Sequence, residues 1–193
     1  MKITAEWLRA QNACKEQTEL FDRTFPSGAG LDDIDTARAA GLSLAWLAGN
    51  PSTPPAGLER LAADSDASVR CCVARNPSTP PAVLERLAKD SDVGVQYYAA
   101  RNPSTPPAVL ARLAADRYAD VRYCVASNPS TPPAGLARLA ADSDASVRCC
   151  VASNPSTPPA VLERLAKDSD ADVRYYAARN PSNKRTEHDR DCR

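Results

Sequence analysis

Three sets of side chains in this sequence have types and spacings that could do chemistry. The first is tyrosine and arginine: Tyr97 with Arg101, Tyr123, Tyr175 with Arg179, and Arg75, which follows Cys71 by four residues. These are the residue types enriched at interface hot spots, so the set points to recognition of another macromolecule. The second is a line of basic or polar residues, Arg70, Gln96, Arg122, Arg148 and Arg174. Each lies six residues after an aspartate: Asp64, Asp90, Asp116, Asp142 and Asp168. Such a line either hydrogen-bonds its aspartates as a structural ladder or offers charge to an anion. Gln96 still donates hydrogen bonds but has lost the charge that a phosphate would need, which favours the ladder. A parallel line, Arg60, Arg86, Arg112, Arg138 and Arg164, could meet phosphates, yet Glu59, Glu85 and Glu163 stand beside it and partly cancel it. The third set is thiols. Cys71-Cys72 and Cys149-Cys150 are neighbours that point in different directions on a helix and so share no tetrahedral metal site. The one histidine, His188, lies in the C-terminal tail. There is no glycine-rich phosphate loop, no nucleophile elbow and no hydroxyl with a base partner, so no catalytic site, no enzyme activity and no cofactor is expected.

The elements that must position these residues repeat. Asn-Pro-Ser-Thr-Pro-Pro-Ala begins at Asn50, Asn76, Asn102, Asn128 and Asn154, with a truncated copy at Asn180, at a constant spacing of 26 residues. A fixed period of this length means stacked supersecondary units, each too small to bury its own apolar face. Each unit is numbered here from its Asn. Thr at position 4 is expected to cap a first helix whose first turn carries the two prolines. Leu at 9 and 12 and Ala at 13 make one apolar stripe, with Arg at 11 off it. Glu85 and Lys89, like Glu163 and Lys167, stand in the favourable order for a surface ion pair. Asp at 15 and Ser-Asp at 16 and 17 stop that helix and cap a second, from about 18 to 25, which the next Asn-Pro ends. At this length the second helix is marginal alone, and is expected to be short or partly 3-10.

Covariation sorts the second helix. Where position 23 is Tyr (Tyr98, Tyr176), position 24 is Ala; where 23 is Cys (Cys72, Cys124, Cys150), 24 is Val. A large residue beside a small one is what a core of fixed volume requires, so 20, 23 and 24 are placed inward and 19, 22 and 26 outward. Two readings stand for the tyrosines at position 22: a recognition surface, or shielding of the core between helices. Repeats one and four are nearly identical, as are two and five, which points to duplication of a three-repeat block.

Residues 1–49 read as an N-terminal helical cap: a helix from Thr4 to about Asn12 with Trp7 and Leu8, and one from Lys15 to Phe25 with Leu20, Phe21 and Phe25 as its apolar side. A third follows from Asp32-Asp33 to Ala40, with Gly41 as C-cap, and a last short helix from Leu42 to Gly49 has Trp46 and Leu47 as core. Five full repeats and the start of a sixth fill 50–182, and 183–193, densely charged and without apolar periodicity, is expected to be a disordered tail. No C-terminal cap is recognisable. Lys+Arg and Asp+Glu are both 24, so the chain lacks the basic excess of a nucleic-acid binder. The opening residues have no long apolar run, so no signal peptide is expected, and nothing approaches a membrane span. Five of the seven cysteines fall at equivalent repeat positions. Units about 10 Å apart hold them beyond the roughly 7 Å Cα limit of a disulfide. Reduced thiols and a cytoplasmic location follow.

Asn-Pro-Ser-Thr-Pro-Pro, then Leu-x-Arg-Leu-Ala, Asp, and Val-Arg-x-x-Val-Ala, resembles the leucine-rich repeat variant family found in bacteria, from about Leu42 to Ser182. The resemblance implies an all-α fold: a right-handed α-solenoid of alternating α and short or 3-10 helices. The Asp at 15 and Arg at 21 are similar to those of HEAT repeats, where they form a ladder between neighbouring units. Some members of the family hold an iron–sulfur cluster in an N-terminal cysteine group. Residues 1–49 contain only Cys14 where four thiolates are needed, so that cofactor is not carried over. The reading that follows is a non-enzymatic scaffold binding a protein or peptide along its second helices. Nucleic-acid binding by the arginine lines is the alternative, and a metal, iron–sulfur or redox protein the second alternative.

Overall fold

Proline decides where each unit's first helix begins. The computed structural model describes residues 3–10, 13–30 and 33–183. In it Pro54 takes the extended N-cap conformation (φ −60°, ψ 149°) and Pro55 opens α5, Pro55–Leu61, at the position where a missing N–H leaves nothing unsatisfied. The same geometry opens α9 (Pro107–Leu113), α11 (Pro133–Leu139) and α13 (Pro159–Leu165), and α7 spans Pro81–Leu87. Each of these helices has seven residues, and their leucines, such as Leu58, Leu61, Leu110 and Leu113, are fully buried. The position-15 aspartates then turn the chain, each accepting the N–H two residues on, as Asp64 does from Asp66 at 2.8 Å. Asp66, Asp92, Asp144 and Asp170 next cap the second helices, α6 (Ala67–Arg75), α8 (Val93–Arg101), α12 (Ala145–Ser153) and α14 (Ala171–Arg179). Tyr118 takes the place of that aspartate before α10 (Ala119–Ser127), which has no side-chain cap.

These second helices are α throughout their nine residues, longer than the first helices and with no 3-10 character. Length alone made them look marginal. Packing against neighbouring helices, and in four of the five a side-chain cap, supplies what propensity lacks. A 3-10 turn occurs instead at Pro181–Asn183.

The threonines at position 4 do not cap. Each is buried and donates its hydroxyl to the carbonyl six residues back, Thr79 Oγ1 to Val73 O at 2.6 Å and Thr157 Oγ1 to Val151 O at 2.6 Å. The last carbonyls of an α-helix have no intrahelical donor, and the turn motif supplies them. Asn128 Nδ2 donates to Ala100 O (2.8 Å) and Asn102 O (2.9 Å) of the preceding unit, and Asn154 Nδ2 to Ala126 O (2.7 Å) and Asn128 O (3.0 Å). Asn180 repeats this on Ala152 O and Asn154 O, and in the N-terminal part of the chain Asn76 does so on Ala48 O and Asn50 O. Each Asn Oδ1 meanwhile accepts from the Ser N–H two residues on, and the Ser hydroxyl reaches back to a proline carbonyl one unit earlier, as Ser156 Oγ does to Pro129 O at 2.9 Å.

Val at position 20 and Val or Ala at 24 are buried, as expected, and so is Ala at 25 in Ala74, Ala100, Ala126 and Ala152. Position 23 is a correction. Cys72, Tyr98 and Cys150 are half-buried and Tyr176 is exposed, leaving only Cys124 of that set in the core. With 20, 24 and 25 occupying the packed side, position 23 falls about 60° beyond position 20 and reaches the rim.

The N-terminal segment forms α1 (Ala5–Ala10), α2 (Lys15–Thr24), α3 (Ile34–Ala39) and α4 (Leu44–Gly49). Gly41 ends the third in the left-handed region (φ 82°), as a C-cap glycine does. Ser43 caps the fourth by accepting the Trp46 N–H. Its core residues are Leu44 and Ala48 rather than Trp46 and Leu47. Those two are half-buried because they line a cavity of about 300 Å³ with Leu8, Phe21 and Leu42. The expected end of the first helix at Asn12 and start of the third at Asp32 lie outside the described residues, as do the side chain of Trp7 and the tail beyond Asn183.

The architecture is all-α: fourteen α-helices and no strand among the described residues, with a single antiparallel bridge between Ile3 and Ala29. It is a repeat solenoid in which helix pairs recur in register. The chain forms two compact units that divide between Val83 and Leu84, inside α7. In the first, α6 packs on α4; in the second, α8, α10, α12 and α14 pack in succession and α9 packs on α11.

Candidate recognition face

The ladder residues are occupied. In the second unit Arg122 forks onto Asp142 of the next repeat (Nε–Oδ2 2.6 Å, Nη2–Oδ1 2.9 Å) while its Nη1 donates to Asp116 O of its own repeat at 2.9 Å. Arg148 does the same to Asp168 (2.8 and 2.9 Å) and to Asp142 O (2.8 Å). These planar, two-pronged bonds hold the Asp142 and Asp168 carboxyls below the ordinary carboxylate range and the Arg122 and Arg148 guanidinium groups above theirs. Arg70 donates to Asp64 O and Ser65 O, and the Asp64 carboxylate is held by Arg38 of the N-terminal segment. Arg174 donates to Asp168 O and Ser169 O. Gln96 Nε2 donates to Asp90 O at 2.6 Å, leaving Gln96 Oε1 buried and unpartnered. In its register the carboxylate that an arginine would hold is Asp116, which accepts the Tyr118 N–H. The first-helix arginines are exposed, with Arg112 and Arg164 reaching carbonyls of Ala88 and Ala137.

The tyrosine and arginine set lies on the open side of the second helices. In the second unit Tyr123 is 42% exposed, Tyr175 53% and Tyr176 44%, and Tyr97 and Tyr98 are half-buried. Position 22 of one repeat meets position 23 of the next. The Tyr97 phenol stands against the Cys124 thiol and the Tyr123 phenol against the Cys150 thiol. Both phenols are held above their ordinary value, Tyr97 first by the charge of the neighbouring thiolate and then by hydrogen bonding to sulfur, Tyr123 first by the hydrogen bonding and then by the charge. Tyr97 and Tyr98 stand edge to face with centroids 5.2 Å apart, and Tyr175 and Tyr176 repeat the arrangement at 5.4 Å. Arg101 Nη1 donates to the Tyr97 hydroxyl at 3.4 Å, and the Arg179 guanidinium lies 5.1 Å from the centre of the Tyr175 ring. Arg75 is exposed at the end of α6 in the first unit, where its charge bears on Cys72.

Burial sets the chemistry of the thiols. Desolvation pushes Cys124 up to about 11, against the hydrogen bond from Tyr97, and raises Cys72 and Cys149 as well. At neutral pH these are protonated and weak as nucleophiles or metal ligands. Among the described residues all six cysteines are free of disulfides. No helix among the described residues is long and apolar enough to cross a membrane.

Sequence reasoning did not find the asparagine ladder or the Tyr–Cys contacts. The signal for the first was present: an ordinary turn tolerates Asp or Ser at its first position, and this chain keeps Asn in all six copies. Nothing in the sequence pointed to the second, because it joins residues 27 apart on different helices.

The Leucine Rich Repeat Variant domain family matches residues 43–98, 96–148 and 122–181. A solved structure described as a leucine-rich repeat variant with a novel repetitive protein structural motif is 23% identical, with a TM-score of 0.61 over 90% of this chain and 70% of that one. Two engineered proteins, each 19% identical, align with TM-scores of 0.44 (88% of this chain, 96% of that) and 0.46 (91% and 60%). No curated protein matches the sequence.

Proposed function

The chain belongs to the leucine-rich repeat variant family, and from that premise we propose that it is a non-enzymatic scaffold binding a protein or peptide along the open face of its second helices. The observation that carries this reading is the exposure of Tyr123 on α10, a helix whose ladder residue Arg122 already holds Asp142 and whose end is clamped by Asn154. Tyr123 keeps its ring exposed although its hydroxyl meets Cys150 of the next repeat, and large exposed aromatics are what recognition surfaces use. Nucleic-acid binding is the weaker reading, because Arg122 and Arg148 are committed to carboxylates and the chain has no net charge.

A photo-crosslinking residue placed at Tyr123, with Ala111 on the exposed side of α9 as the control position, tests the face. Crosslinks to a protein from 123 and not from 111 are expected. Tyr97→Ala and Tyr123→Ala should weaken that capture while moving Tm by no more than a few degrees. Equal crosslinking from both positions, or unfolding of both variants, rejects the reading. A salt-sensitive shift of a generic DNA duplex would move it to nucleic acid.

A further inference from the structure

The open face carries the same cassette twice. Tyr-Tyr-Ala-Ala-Arg occupies 97–101 and 175–179, three repeats apart and within one compact unit. In both copies two tyrosines meet edge to face and the arginine four residues after the first leans on that tyrosine. Neither Arg101 nor Arg179 has a carboxylate partner among the described residues, whereas Arg122 and Arg148 one position-set away each hold one. Between the copies the equivalent positions are Tyr123-Cys124 with Ser127 and Cys149-Cys150 with Ser153, which bring neither a second ring nor a cation. The carboxylates of this face, Asp120 and Asp172, stand at the opposite ends of their helices, seven residues before Ser127 and Arg179 and so about 10 Å away.

Resting on the reading above, we infer that the face is bivalent: it takes one extended acidic segment of a partner protein at two equivalent sites, each built from a tyrosine pair and an unmatched arginine. Charge complementarity selects the occupant. A carboxylate meets the guanidinium, which its tyrosine already orients, and the adjacent side chain packs on the rings. Three repeats at about 10 Å each separate the sites by roughly 30 Å. A polyproline helix rises about 3.1 Å per residue, so two carboxylates nine residues apart span about 28 Å and reach both sites, and two carboxylates three residues apart, at about 9 Å, do not. Linking two weak contacts in this way raises apparent affinity without adding any contact.

The probes are labelled peptides of four and of two Glu-Pro-Pro triplets, proline serving as a stiff ruler, titrated at low and physiological salt. The longer peptide should bind at least tenfold more tightly. Arg101→Gln or Arg179→Gln should each reduce it to within about threefold of the shorter one. The shorter peptide should saturate at two per chain, and at one per chain in either variant. Equal affinity of the two lengths, or saturation of the shorter peptide at one per chain, overturns bivalence. Equal binding of Lys-Pro-Pro triplets overturns the acidic occupant, and tighter binding of a twelve-nucleotide oligo(dT) replaces it with nucleic acid. Failure of every peptide while Tyr123 still crosslinks a protein removes this inference and leaves the face reading standing; loss of both removes both.

Discussion

Asn128 shows how much one polar side chain does in this fold. Both of its amide hydrogens go to carbonyls at the end of the preceding unit's helix, its oxygen takes the Ser130 N–H, and its own N–H returns to Val125 O. Replacing it leaves Ala100 O buried without a donor, at a cost on the order of 1–3 kcal/mol, and leaves Asn102 O with the Thr105 N–H alone, at about 1 kcal/mol more. Asn128→Ala is therefore expected to destabilise by about 3 kcal/mol in urea denaturation, in the same range as Leu110→Ala, which removes a fully buried leucine and should cost roughly 2–5 kcal/mol. A loss below about half a kcal/mol for Asn128→Ala would mean that water replaces the amide. Leu110 was readable from the apolar stripe. The role of Asn128 was not, because its partners lie 26 and 28 residues away.

At the scale of helices and their joints, the seam between the second and third repeats lacks the Arg–Asp pair and the side-chain cap that the other seams of the second unit have. Gln96 leaves its Oε1 buried without a donor, Asp116 holds no arginine of the preceding repeat, and α10 begins at Tyr118 without a side-chain cap. Gln96→Arg would place a guanidinium opposite Asp116 in the geometry that Arg122 has with Asp142. It should raise stability by about 1 kcal/mol, read as a higher urea midpoint with an unchanged m-value. A neutral or negative result would show that the seam is not limited by its missing pair. The Asp–Arg ladder was legible from a six-residue spacing. Where it is broken was legible too, in the single Gln, but that the glutamine oxygen is sealed off from water needed coordinates.

For the molecule as a whole, the ladder makes stability depend on acid. Asp142 and Asp168 have folded-state values held below their unfolded ones by Arg122 and Arg148. Carboxyls of this kind stabilise the fold above the unfolded value, near 3.9, and that contribution is lost as pH falls through the folded values. Urea midpoints followed by circular dichroism should be flat from about pH 7 to 5 and fall below about pH 4, with a shallower fall in Arg148→Gln. An unchanged midpoint at pH 3 would show that these pairs add nothing over solvated charges. In a linear array where each repeat touches only its neighbours, such losses add along the stack.

The sequence by itself determined the period, the two helices per unit, the leucine stripe and the punctuation by Pro and Asp, because each of these is set by residues a turn or two apart. Tertiary structure decided what depends on a neighbouring unit. It turned the position-4 threonines and the repeat asparagines into clamps on the preceding helix end, and moved position 23 from core to rim. It also set Tyr97 and Tyr123 against cysteines of the following repeat. In the N-terminal segment no repetition averages out local choices, and there Trp46 and Leu47 line a cavity instead of filling a core. Which side of a short helix is covered depends on what packs against it, and periodicity alone carries no record of that.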